Sequence, residues 1–180
     1  MFSLRVDSSL TLQLLEGHHA PILFALIEEN RDHLRRWLPW LDVNRTEEDS
    51  RSFINSARER YTNRESLEVG IWYREMLVGA IGFNHFSWQE RCGQIGYWLA
   101  TEAQGKGIIT RSSRALIQYG FTEMDLNRVE IRAAIDNTSS RAIPERLGFC
   151  REGHLRQAEW LYDHFVDHIV YGLLAEDTLQ

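Results

Sequence analysis

The sequence predicts an α/β (α+β) fold, a mixed sheet of about seven strands flanked by helices. Three observations carry this. Seven short segments rich in β-branched and aromatic residues alternate with helix-periodic stretches, in the order β-α-α-α-β-β-β-α-β-α-β-β. Turn signals separate them, at Arg74-Glu75, at 87–91 and at Gly148. A strand-like run, Gln94-Ile-Gly-Tyr-Trp-Leu-Ala100, feeds Glu102-Ala-Gln-Gly-Lys-Gly-Ile-Ile-Thr110, a turn with two glycines around a lysine that opens a helix.

Taken in order, residues 10–15 alternate and read as a strand. Ile22, Leu23, Leu26 and Ile27 recur at helical spacing, so 20–30 reads as a helix. A second short helix, 32–38, stops before Pro39, because proline disfavours helical backbone in the residue ahead of it. Thr46-Glu-Glu-Asp49 supplies a hydroxyl cap and an acidic first turn to a third helix that runs to Tyr61 or Asn63. Residues 66–73 and 77–85 are strands joined at Arg74-Glu75, and 93–100 is the central strand. A helix covers 108–124. Residues 128–135 form a strand with Val129, Ile131, Ala133 and Ile135 on one face. Residues 139–147 form a helix with Gly148 as its C-cap. Two strands, 150–155 and 165–174, close the order. No repeat, low-complexity tract or linker divides the chain, so 1–180 reads as a single domain.

A chain of 180 residues is well able to bury a core, and 43% hydrophobic with 26% charged residues is an ordinary globular composition. The net charge is -6, and the basic residues are scattered rather than gathered into an arm or stripe. A direct nucleic-acid partner is therefore not expected. An acidic surface suits a cationic substrate such as an amine. Cys92 and Cys150 lie far apart and make no C-x-x-C, which points to reduced thiols, with Cys150 packed into its strand. Met1-Phe-Ser-Leu-Arg-Val-Asp7 lacks the apolar run of a signal peptide, and no stretch approaches the ~20 apolar residues of a membrane span. The expectation is a cytoplasmic protein without membrane contact.

The turn at 102–110 reads as an anion site. Glycines let the backbone approach a ligand, and a helix's first N–H groups point outward with roughly half a positive charge behind them. It is not a Walker A loop, since Gly107 rather than Ser or Thr follows Lys106. A dinucleotide fingerprint would need glycine at Thr110. A tight strand-to-helix turn without a ligand is the alternative at this point. Asp163-His164 and Asp167-His168 invite a metal reading. On a strand, however, His164 and His168 stand about 13 Å apart, too far for one ion, so no metal is expected. His18, His19 and His33 read as surface residues.

This order, with its glycine turn after the fourth strand, resembles the GNAT acetyltransferase family, and three further stretches resemble its RimJ/RimL branch. Trp37-Leu-Pro-Trp40 is similar to the branch's aromatic-proline segment. Asp136-Asn-Thr-Ser-Ser140 with Arg146-Leu-Gly-Phe149 is similar to its second cofactor segment. Glu152-Gly153, Gln157-Ala-Glu159 and the stretch from Tyr162 to Tyr171 are similar to its carboxy-terminal half. The resemblance spans 12–174. It implies a mostly antiparallel sheet splayed between the fourth and fifth strands. It implies acetyl-CoA as cosubstrate, with the pyrophosphate on the N–H groups of Gln104, Gly105, Lys106, Gly107, Ile108, Ile109 and Thr110. The pantetheine arm would then run along Tyr97, Trp98 and Leu99 and be held further out by Asn137. Glu102 stands where the family prefers Arg or Gln, at a position that contributes mostly backbone.

The resemblance further implies direct acetyl transfer to an α-amino group, that of a ribosomal protein's N-terminal Ser or Ala. Glu159 would be the general base and Ser140 the acid, with a helix N-cap as the plainer role for Ser140. Trp37 and Trp40 would wall the acceptor cleft, Asp167 would bind backbone or the substrate amine, and the protein would be a homodimer. The chemistry asks little of a base, because a free α-amino group with a pKa of about 7.7–8.0 is already partly neutral. A small amine (polyamine, amino sugar or aminoacyl antibiotic) and a CoA-binding protein without catalysis are the alternatives.

Overall fold

The computed structural model describes residues 2–179. Its strands are β1 (Ser3–Arg5), β2 (Leu10–Gln13), β3 (Leu67–Tyr73), β4 (Met76–Ser87), β5 (Cys92–Leu99), β6 (Arg128–Ala134), β7 (Cys150–Leu161) and β8 (His164–Leu174). Its helices are α1 (Ala20–Glu29), α2 (Arg31–Arg35), α3 (Glu47–Thr62), α4 (Ile108–Thr122) and α5 (Thr138–Arg146). The eight strands make one sheet in the order β1-β2-β3-β4-β5-β6-β8-β7. Every neighbouring pair is antiparallel except β5 and β6. Among the described residues, no helix is long and apolar enough to cross a membrane.

Local chemistry sets the boundaries. Thr46 and Asp49 close a reciprocal capping box ahead of α3, Asp49 N–H donating to Thr46 Oγ1 at 3.2 Å and Thr46 N–H to Asp49 Oδ2 at 2.8 Å. Arg74 and Glu75 both take left-handed backbone, φ 50° and 67°, in the two-residue turn that joins β3 to β4. Two apolar clusters cover the sheet. One joins α4 to Ile71, Ile81, Phe83, Ile95, Ile131 and Tyr171. The other joins α1, α2 and α3 to Leu77, with Trp72 and Trp98 packed against it. Ile71 and Trp72 are consecutive on β3, so the two clusters lie on opposite faces of the sheet.

The sheet opens in the middle. Strands β5 and β6 pair only from Cys92↔Arg128 to Ile95↔Ile131. Beyond Ile95, β5 stays on β4 as far as Gly79↔Leu99, while β6 leaves with β8 as far as Ala134↔His168. This is the splay expected between the fourth and fifth predicted strands.

Two strand expectations need correction. Strand β1 adds an eighth strand, which three residues paired through Ser3↔Gln13 and its neighbours are too few to announce by periodicity. Strand β7 runs to Leu161 rather than to about residue 155. Nearly all its side chains are exposed, so no apolar alternation marks its second half, and the backbone ladder to β8 holds it.

Candidate active site

The splay is the mouth of a cleft of about 1450 Å3. Its floor at one end is the glycine turn. After the short 3-10 turn Thr101–Ala103, Gly105 and Gly107 both take left-handed backbone, φ 73° and 66°, and Gly107 is the N-cap of α4. Such backbone strains any residue with a Cβ. A Cβ at either glycine would meet nothing within 4 Å, so the turn faces open space. The N–H groups of Ile108, Ile109 and Thr110 begin α4 and have no intrahelical acceptor there.

Three contacts brace the turn. Lys106 Nζ donates to the Glu102 carbonyl at 2.8 Å, so Glu102 serves through its backbone. Arg146 Nη1 donates to Thr110 Oγ1 at 3.3 Å, placing a second cation beside the first turn of α4. Gln104 Nε2 lies 2.8 Å from His33 Nε2, so His33 is half-buried on the cleft rather than a free surface residue. In the sequence Arg146 stands only as part of the Arg146-Leu-Gly-Phe149 motif; its place at the turn follows from where α5 ends.

Along the splay, Tyr97, Trp98 and Leu99 line the cleft. The Tyr97 hydroxyl crosses the gap and donates to the Ser140 carbonyl at 2.8 Å. Burial pushes the Tyr97 phenol well above its ordinary range, so the donor stays protonated. Proline at 144 explains the contact. In α5 the amide of residue 144 would bond the carbonyl of Ser140, and proline has no N–H to give. The tyrosine hydroxyl takes that place.

Asn137, not Ser140, is the N-cap of α5, and its Oδ1 accepts from Ser140 N–H at 3.2 Å. Ser140 lines the cleft, and its hydroxyl bonds no other described residue. Glu159 enters from β7. Its Oε2 lies 3.2 Å from His168 Nε2, and both side chains line the cleft, 28% and 16% exposed. In the sequence His168 suggests only a metal ligand, beside Asp167. Its link to Glu159 depends on strand register, which composition does not reveal. Among the described residues, no cluster of three His, Cys, Asp or Glu side chains is placed to hold a metal ion.

Trp37 and Trp40, both half-buried, line the same cleft. The ring of Trp40 lies 6.3 Å from that of Trp98. The Tyr162 hydroxyl accepts from Leu41 N–H at 3.2 Å and donates to the Leu38 carbonyl. Arg35 covers the Tyr162 ring at 3.7 Å. The aromatic-proline segment is thus tied to the β7–β8 turn.

One expectation fails here and one alternative is narrowed. Of the two roles read for Asp167, backbone or substrate amine, its side chain takes the backbone one and does not line the cleft. Its neighbour His168 faces the cleft, so alternation turns Asp167 to the other side of β8. There its Oδ1 accepts from Gln157 N–H at 2.7 Å and its Oδ2 lies 2.7 Å from His154 Nε2. The backbone bond first, and His154 second, hold its carboxyl below the usual carboxylate range. Cys150 is exposed rather than packed, because β7 is the edge of the sheet.

The comparisons agree with this architecture. Residues 9–150 match the model of the acetyltransferase (GNAT) domain. The protein YdaF of Bacillus subtilis (strain 168) is 38% identical over 178 residues, 98% of this chain and 97% of its own. A ribosomal-protein-serine acetyltransferase of Escherichia coli (strain K12) is 31% identical over 174 residues, 97% of each chain. A solved structure of RimL, a ribosomal L7/L12 alpha-N-protein acetyltransferase in complex with coenzyme A, superposes with a TM-score of 0.93 at 26% identity, covering 96% of this chain and 98% of its own. The glycine turn, the splayed strands and these relatives together make the chain a member of the GNAT acetyltransferase family, in the branch of RimJ and RimL.

Proposed function

We propose that this chain transfers an acetyl group from acetyl-CoA to the α-amino group of a protein N-terminus, with Ser or Ala as first residue. One observation carries the reading. The open glycine turn and the Glu159–His168 pair face the same cleft, so an anion cradle and a proton acceptor serve one reaction space. The relative named for ribosomal-protein serine and the RimL structure with coenzyme A support the acceptor class and the cosubstrate.

Acetyl-CoA supplies the activated thioester when bound. The N–H groups from Gln104 to Thr110 would hold its pyrophosphate, with Lys106 and Arg146 adding positive charge. Past Ile95, β5 has lost β6 as a partner, so the edge at Tyr97, Trp98 and Leu99 is free to pair with the pantetheine arm as a strand would. Asn137 spends its oxygen on Ser140 N–H and keeps its amide donor for the same arm. An edge N–H near Leu99 can polarise the thioester carbonyl. Glu159 takes the proton from the attacking amine, oriented by His168, and later releases it to solvent. The free Ser140 hydroxyl donates to the departing sulfur as it draws a replacement proton from solvent in the open cleft, so the thiol leaves and both side chains are restored. No covalent enzyme intermediate is required. Trp37 and Trp40 wall the side from which the acceptor arrives.

The reading includes a cytoplasmic homodimer. The ring pair Trp160 and Phe165, 51% and 54% exposed on the edge hairpin, offers apolar surface to a second copy. Steady-state CoA release tests the acceptor. A short peptide with free N-terminal Ser or Ala should turn over, and its N-blocked form with one internal Lys should not. If the blocked lysine peptide is equally active, or if spermidine or an amino sugar exceeds the free peptide tenfold in kcat/KM, the acceptor class is wrong.

A further inference from the structure

We propose that Asp167 is a positioning residue for Glu159, acting through a bulge in β7; the proposal rests on the reading of Glu159 as base. Strands β7 and β8 are in register at Leu155↔His168 and again at Glu159↔Val166. Four residues on β7 thus oppose two on β8, so β7 carries two extra residues. In an unbroken ladder that starts from Leu155↔His168, Glu159 would stand opposite His164, about 7 Å further toward the hairpin end. The bulge draws Glu159 back to the level of Val166, within 3.2 Å of His168 and inside the cleft.

The bulge does not hold itself. Gln157 takes left-handed backbone, φ 50°, which is uncommon for a residue other than glycine. Its N–H is lifted out of the ladder and needs an acceptor. Asp167 supplies one, with Oδ1 at 2.7 Å, while Oδ2 at 2.7 Å engages His154 on the near side of the bulge. The Asp167 backbone carbonyl also accepts from Ile135 N–H at 2.9 Å, which fixes this point of β8 to the end of β6. One residue therefore ties the bulge to the interior of the sheet. Asp167, His154, Arg156 and Gln157 surround a small depression apart from the cleft, so the carboxylate reaches the reaction only through the backbone it holds.

Two conservative variants separate this from a charge acting on the substrate. Asp167→Asn loses the charge but keeps an oxygen for Gln157 N–H and an amide for His154. Asp167→Glu keeps the charge and oversteps the geometry by one methylene. Steady-state kinetics would use acetyl-CoA and a peptide with free N-terminal Ser or Ala. Asp167→Asn should stay within about threefold of wild type in kcat, and Asp167→Glu should fall about 10²-fold, the scale of a displaced catalytic group. KM for acetyl-CoA should not change in either. Asp167→Glu combined with Glu159→Gln should be no slower than Glu159→Gln alone. The reverse order, with Glu active and Asn impaired and a raised peptide KM, would overturn the proposal. So would deficits that multiply in the double variant. If Glu159→Gln is slow and Asp167→Glu runs at the wild-type rate, the positioning role alone fails. Wild-type turnover in Glu159→Gln would remove the base assignment and this proposal together.

Discussion

Removing one hydroxyl, in Tyr97→Phe, tests how the start of α5 is held over the cleft. The bond from Tyr97 to the Ser140 carbonyl is 2.8 Å long and replaces the helical bond that Pro144 cannot make. Losing a buried hydrogen-bond partner costs about 1–3 kcal/mol. Ser140 is only half-buried, so water can recover part of that, and about 1–2 kcal/mol is the expected loss. For a chain of this size that lowers Tm by about 2–8 °C. Pro144→Ala supplies the missing N–H. In that background the Ser140 carbonyl keeps a partner when the hydroxyl goes, and Tyr97→Phe should cost less than about 0.5 kcal/mol. Urea unfolding of the wild type, both single variants and the double variant gives the interaction energy, expected near 1 kcal/mol. Equal costs of Tyr97→Phe in the two backgrounds would refute the link between the tyrosine and the proline. Because Ser140 rides on the same carbonyl, kcat should fall in Tyr97→Phe and recover in the double variant.

Further outcomes follow from the same contacts. Gly107→Val should abolish the Tm increase given by acetyl-CoA, since it strains a φ of 66° and fills the open space over the turn; a retained shift would remove the anion role of residues 104–110. Trp40→Ala should raise KM for peptide more than for acetyl-CoA, as the proposed acceptor role of this ring, 6.3 Å from Trp98, requires; equal changes in steady-state kinetics would contradict that. Acid should destabilise the fold through Asp7, Asp49 and Glu152. Bonds from the Ser9 backbone, the Arg45 backbone and the Arg128 side chain, respectively, hold these carboxyls below their ordinary range. Their contribution is complete above about pH 5 and is lost as pH falls through the depressed folded-state values. Tm measured from pH 6 to pH 3 should fall, and Asp49→Asn should flatten part of that fall.

How much of this was legible in the chain depended on whether a feature leaves a local mark. Thr46 with Asp49 marked the start of α3, and Gly105 with Gly107 marked the turn that opens α4, because caps and left-handed backbone select particular residues at fixed offsets. The apolar stretch at 93–100 marked the strand that ends at the splay. The second half of β7, past residue 155, left almost no mark, since its side chains are nearly all exposed and its ladder is backbone alone. The bulge at Gln157 is invisible for the same reason, as glutamine gives no sign of left-handed backbone. With the bulge unseen, the register of Glu159 was unknown, and His168 could not be recognised as its partner. The sequence puts Asp167 on the correct strand and leaves its face open. A single step along β8 separates a residue in the cleft from one that braces the strand beneath it.

The most direct test of the account is the turnover of Glu159→Gln with acetyl-CoA and a peptide bearing a free N-terminal Ser or Ala. Glutamine keeps the size of the side chain and a hydrogen bond to His168 but cannot accept the proton. The account predicts that kcat at pH 7 falls by roughly 10²–10⁴ while KM for acetyl-CoA is unchanged. It also predicts that the gap narrows as pH rises past about 8, where the α-amino group is neutral without help. Wild-type turnover of Glu159→Gln at pH 7 would contradict it, as would a deficit that stays constant across the pH range.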